Sequence, residues 1–220
     1  MLASFLFNSE VSCEKKMSYS DFNFSNLKNK FQLSFVELTG LFSNYTSRNP
    51  EPWLISFLAQ TIPLALAINT EKARSELIVA PLLLGIKNLF NGNISIFSGN
   101  DFTVDASLGL NGRIDFLISR SSEQLFIEAP VAIIVEAKNE NLNAGIPQCI
   151  AELIAASRFN EQQGNTISPL YGAVTTGSLW KFLQLEGNTV TIDLNEYPLQ
   201  PVEGIVGILA HLIGEKEESV

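Results

Sequence analysis

The spacing of apolar positions divides this chain into a helical first part and a sheet-forming remainder. From Asn26 onward, Phe31, Phe35, Leu38, Phe42 and Tyr45 recur at intervals of four and three, which is one helical face. That run lasts about two heptads, where a coiled coil wants roughly three or four. It therefore predicts a helix packed on its own domain, with a dimer seam as the lesser use of the same face. Asn49-Pro50-Glu51-Pro52 interrupts the pattern, and Pro52 suits the first turn of a second helix running to about Ile68. Thr70 suits the N-cap of a third, Glu71 to about Phe90, ended by Asn91-Gly92 and kinked or restarted at Pro81.

The periodicity then shortens. Ile94 to Phe97, Phe102 to Leu108, Gly112 to Ser119 and Val131 to Ala137 read as strands separated by Gly, Asn and Ser turns. A helix follows from about Ala144 to Gln163, with Ile146, Ile150, Leu153, Ile154 and Ser157 inward. Leu170 to Thr175 and Leu179 to Leu185 are strands joined by Thr176-Gly177-Ser178, and Thr189 to Leu194 continues the meander. Pro201 opens a last helix with Val202, Ile205, Val206, Leu209 and Ile213 on one face. The order predicts an α/β fold: a mixed central sheet flanked by helices, with extra N-terminal helices. Residues 1–25, rich in Ser and Asn, read as a flexible N-terminal arm, and 26–220 as a single domain.

Composition narrows the classes. At 220 residues, 46% hydrophobic and 17% charged, the chain can bury a sizeable core. Its net charge of −9 is unusual for a protein that grips nucleic acid, and its 14 Lys and Arg are scattered rather than clustered. Any such partner would be held by a local site. Cys13 and Cys149 do not make a disulfide framework or a zinc ligand set. His211 is the only histidine, which nearly excludes His-based triads, and neither nucleotide-binding glycine motif occurs. Trp53 to Ile68 is very apolar but short of a membrane span and interrupted by Gln60 and Pro63. With no basic region before the apolar first residues, a cytoplasmic protein without membrane contact is expected.

Candidate chemistry lies in Ile133-Ile134-Val135-Glu136-Ala137-Lys138 and, before it, Gly112-Arg113-Ile114-Asp115-Phe116. Strand alternation sends Glu136 and Lys138 to one side, and Asp115 sits in a second apolar run. Two carboxylates and an ammonium are costly to bury in a sheet unless paired or bound to a metal. An ion pair in an inert sheet is the plainer use of Glu136 and Lys138. Glu76 has Lys72 four residues before it, which explains it as a surface pair. A water-facing position would explain Gln148.

Taken together, Glu76 on a helix, Asp115 on a strand, Glu136-x-Lys138 on the next strand and Gln148 on the following helix resemble the PD-(D/E)XK nuclease superfamily, the restriction-endonuclease-like fold. The resemblance covers about residues 70–186 as a nuclease core. It implies Mg²⁺, with Mn²⁺ able to substitute, held by Asp115, Glu136 and the Ala137 carbonyl. It implies that Lys138 orients or deprotonates the attacking water, and that Glu76 reaches the site through water or a second metal. Gln148 would orient Lys138 or the phosphate. Thr175 to Trp180 is similar to a turn in nucleases related to type I restriction subunits, although members often carry Asp where Thr176 stands. The implied activity is a metal-dependent endonuclease acting on DNA, for which a homodimer would supply two sites for two strands. A non-catalytic binding or assembly protein on the same fold is the alternative, favoured by the acidic balance.

Overall fold

The computed structural model describes residues 17–214. A short 3-10 turn at Tyr19–Asp21 precedes α1 (Phe24–Phe31), whose cap residue Asn23 accepts from the Asn26 N–H at 2.9 Å. The helix expected to run on to Tyr45 stops there. Gln32 adopts a left-handed conformation (φ 54°), and Ser34–Leu38 forms strand β1. The spacing of Phe31, Phe35 and Leu38 fits a helix locally, but Ser34–Leu38 finds a parallel partner strand near the far end of the chain. The phenylalanine seam therefore does not exist as one face. Phe35 stacks edge-on against Phe24, whereas Phe42 is buried against Tyr171 and Phe182.

Residues 17–25, expected as part of the arm, are anchored at two points: Tyr19 and Phe22 are buried, and the Tyr19 hydroxyl donates to the Phe102 carbonyl at 2.5 Å. The rest of that arm, 1–16, lies outside the described residues, as does Cys13.

Helix α2 (Pro52–Ile68) begins and ends where the sequence places it. The next helix also starts as expected, with Thr70 accepting from the Ala73 N–H at 3.1 Å, but is built in three pieces: α3 (Glu71–Arg74), a π-helical stretch (Ser75–Val79) and α4 (Ala80–Leu89). Pro81 is the cause. It has no N–H to offer the Leu77 carbonyl, and the Thr61 hydroxyl of α2 donates there instead, at 2.7 Å.

Strands β2 (Ser95–Ser98), β3 (Phe116–Ser119) and β4 (Val131–Ala137) follow. The strand expected at Phe102 to Leu108 does not form. Asp105 accepts from the Ser107 and Leu108 N–H groups at 3.1 and 3.2 Å, curling Ala106–Leu108 into a 3-10 turn. Helix α5 (Leu142–Gln162) leads to β5 (Leu170–Thr175), β6 (Leu179–Glu186), β7 (Thr189–Asp193) and β8 (Tyr197–Pro198), then α6 (Val202–Ile213).

The described residues form an α/β fold with one mixed, eight-stranded sheet flanked by helices. The order is β1-β7-β6-β5-β4-β3-β2, with β8 against β6. The pairs β1/β7 and β4/β5 are parallel and the rest antiparallel. Because β4 and β5 are parallel, a crossover must join them, and α5 is that crossover. Alternation sends Ile134, Val174 and Leu183 toward Cys149, Ile150 and Leu153 of α5. Ile133, Val135, Ala173 and Phe182 face the opposite core, with Leu54, Ile78, Leu82, Ile86 and Leu209. Among the described residues no helix is long and apolar enough to cross a membrane.

Candidate functional site

Strand β4 carries buried residues along its whole length, and its C-terminal end brings polar chemistry into the α5 layer. The register Phe116↔Val135 places Asp115 opposite Glu136, one step past the end of β3. Asp115 Oδ2 accepts from the Ala137 N–H at 2.8 Å, so the aspartate is fixed to the neighbouring strand's backbone. Glu136 is 1% exposed. Its Oε1 accepts from Lys138 Nζ, while its Oε2 is buried without a hydrogen-bond partner. The Lys138 backbone N–H donates to the Thr175 carbonyl at 2.8 Å, continuing the β4/β5 ladder.

The first turns of α5 close over these groups. Gly145 lets them approach: a Cβ there would sit 2.7 Å from Val174 Cγ1 and 3.1 Å from Lys138 Cγ. Lys138 Nζ lies 3.5 Å from Gln148 Oε1, and Gln148 Nε2 donates to Glu152 Oε1 at 3.1 Å. The chain Glu136–Lys138–Gln148–Glu152 thus runs from the sheet into the helix. Glu152 is fully buried, with its Oε2 also lacking a partner.

Burial, and then the charge of Asp115, push the Glu136 carboxyl up to about 8, against the pull of Lys138. Burial and the charge of Glu136 raise Glu152 well above the carboxylate range. Burial works to lower Lys138, but attraction to Glu136 and the hydrogen bond to it, with the charges of Glu71 and Asp115, together outweigh burial and hold the ammonium above its usual value. The site accordingly concentrates acid oxygens around one ammonium, with like-charge repulsion that a cation would relieve.

The structure brings Asp115, Glu136, Ala137, Lys138 and Gln148 together. It does not bring Glu76. That side chain is 62% exposed and pairs with Lys72 at 2.8 Å, the i, i+4 surface pair. The acidic helix residue whose charge reaches Glu136 and Lys138 is Glu71. Two further residues escaped the sequence reading. Glu152 stands one helical turn after Gln148, a spacing that marks both as one face. Lys181, 6% exposed, lies on the same sheet row as Glu136 through Val174, and donates to Asn143 Oδ1 at 2.9 Å. The alternation Leu179, Lys181, Leu183, Leu185 was its signal: a lysine at a position facing the α5 layer.

The donor set suits a hard divalent cation. Asp115 and Glu136 offer carboxylate oxygens, and the orphaned Glu136 Oε2 is an acceptor in need of a positive partner. Among the described residues no group of three or more His, Cys, Asp or Glu is placed to hold a metal ion. What the site offers is the two carboxylates of Asp115 and Glu136, a set that magnesium commonly completes with water and ligand oxygens. The turn after β5 has the local explanation its sequence allows: Gly177 takes φ 82°, and Trp180, fully buried, donates to the Gly177 carbonyl at 3.3 Å. His211 stacks on Tyr45, with ring centroids 3.9 Å apart, and takes no part in the site. No family model matches the chain, and no curated protein matches it either.

Proposed function

We propose that the protein is a metal-dependent endonuclease of the PD-(D/E)XK, restriction-endonuclease-like type, hydrolysing phosphodiester bonds in DNA. One observation carries this reading: Asp115 stands opposite Glu136 at the ends of two adjacent strands, with Lys138 on the same side and within reach of Gln148. Asp115, Glu136 and the Ala137 carbonyl would hold Mg²⁺ or Mn²⁺. The bound ion supplies charge neutralisation at the phosphate and a more acidic water. Lys138, kept protonated by Glu136, orients the attacking water and offsets phosphate charge. Gln148 fixes the Lys138 head group, and Glu152 in turn fixes the Gln148 amide. Glu76 has no part in this proposal.

A second reading keeps the fold and the site without turnover, as a DNA-binding or assembly protein. The net charge of −9 favours it, since little besides the site itself would hold a polyanion.

Calorimetric titration with Mn²⁺, comparing wild type with Asp115→Asn, tests the metal centre before any substrate is chosen. Saturable binding in the wild type, lost in the variant, is the expected result. Binding indifferent to Asp115 would remove the basis of the proposal. Given binding, cleavage of DNA in Mn²⁺ that vanishes in Asp115→Asn identifies the enzyme, and stable complexes without product identify the second reading.

A further inference from the structure

Helix α2 has the wrong surface for a helix facing water. None of its 17 residues is charged, yet only Leu54, Leu58 and Ala65 along it are buried. A helix apolar all round is ordinarily covered on every side. Trp53, Phe57, Leu64 and Ile68 share one face by their spacing and are 36%, 39%, 51% and 48% exposed. The face continues onto α4. Glu51 Oε2 accepts from Trp53 Nε1 at 2.5 Å and from Asn88 Nδ2 at 2.9 Å, and Leu84, one turn before Asn88, is 51% exposed. Ile55 and Leu66 extend the apolar surface around the other flank of α2.

We infer that this face is the contact between two copies of the chain, joined through antiparallel α2 helices about a two-fold axis. Two observations select a second copy. The first is area. Seven side chains of roughly 150–250 Å² each, a little under half exposed, leave about 600 Å² of apolar surface. With Ser56 and Gln60, which lie between the two flanks, that approaches the roughly 800 Å² per partner of a standard interface. The second is charge. Two copies of a chain of net charge −9 repel one another, and that repulsion is least where they meet through a surface without charge; α2 carries none. Glu51 marks one end, already engaged by Trp53 and Asn88, and antiparallel pairing keeps the two copies of it about 25 Å apart. A lipid surface fits less well, because interfacial helices carry Lys or Arg on the polar face and α2 has neither. The patch lies on the sheet face opposite α5, so the contact leaves Asp115 and Glu136 uncovered.

Sedimentation equilibrium of the full chain tests this. The wild type should show twice 24.2 kDa, and Phe57→Asp and Leu64→Asp should each halve the mass while keeping the far-ultraviolet circular dichroism. Should either α2 variant fail to fold, Leu84→Asp on α4 makes the same test from the neighbouring helix. A wild type that stays at 24.2 kDa at every concentration overturns the inference, as does an oligomer indifferent to all three substitutions. A monomer that floats with neutral phosphatidylcholine vesicles also overturns it and assigns the face to lipid.

Discussion

Glu136 is a buried carboxyl held beside another acid, and its protonation couples folding to pH. In an unfolded chain a glutamate titrates near 4.3. In the folded protein burial and Asp115 move it to about 8, so the folded state binds the extra proton between these values. The stability this group contributes is complete below about 4.3 and is lost as pH rises to about 8. Glu136→Gln removes the titration. In the presence of chelator, urea unfolding at pH 5 and pH 8.5 should show the variant gaining on wild type by on the order of 2–4 kcal/mol across that window. A difference that does not change with pH would mean Glu136 is not desolvated as described. The same residue marks what the sequence made legible. Asp115, Glu136 and Lys138 stood out because charge interrupts apolar strands, and strand alternation gives their side. Glu152 did not, because a glutamate in a helix has no local signal of burial. Its role comes from Gln148 and from the sheet that α5 covers.

At the scale of elements, the seating of α5 on the sheet decides whether the site closes. Gly172 of β5 is, with Gly145 of α5, a point of close approach: a Cβ there would sit 2.7 Å from Cys149 Sγ and 3.0 Å from Leu153 Cδ1. Gly172→Val should therefore destabilise the fold by about 1–3 kcal/mol through overpacking, read as a lower urea midpoint. A neutral outcome would mean that α5 sits farther from the sheet. Elements that follow local rules were readable in advance: the apolar run of β4, the Pro52 start of α2 and the Thr70 cap of α3. Those set by distant partners were not. Ser34–Leu38 lies within a helical spacing, and only the edge of β7 makes it a strand. Phe102 to Leu108 alternates well enough for a strand, yet the Asp105 side chain offers the backbone a turn instead.

For the whole molecule, the acidic balance sets how DNA would be held. With 14 basic residues against 23 acidic ones and no basic cluster, few phosphates could be neutralised by side chains. If the proposed site is the grip, affinity for a DNA duplex in Mn²⁺ should fall with salt with a log–log slope no steeper than about −3, corresponding to roughly three phosphates. Removing the metal should abolish binding in a fluorescence anisotropy titration. A steep slope that survives chelation would point to a basic surface elsewhere. The sheet itself imposes a different constraint, on how the protein is made. One of its edge strands, β1, pairs Phe35 with Val190, 155 positions later in the chain. At about 5–20 residues per second, a ribosome takes roughly 8–30 seconds to deliver that partner. Through that interval Ser34–Leu38 is an unpaired strand on a growing chain. A transcript or fragment cut short before residue 189 releases a product that lacks its native partner strand, leaving that edge open to pairing with another chain.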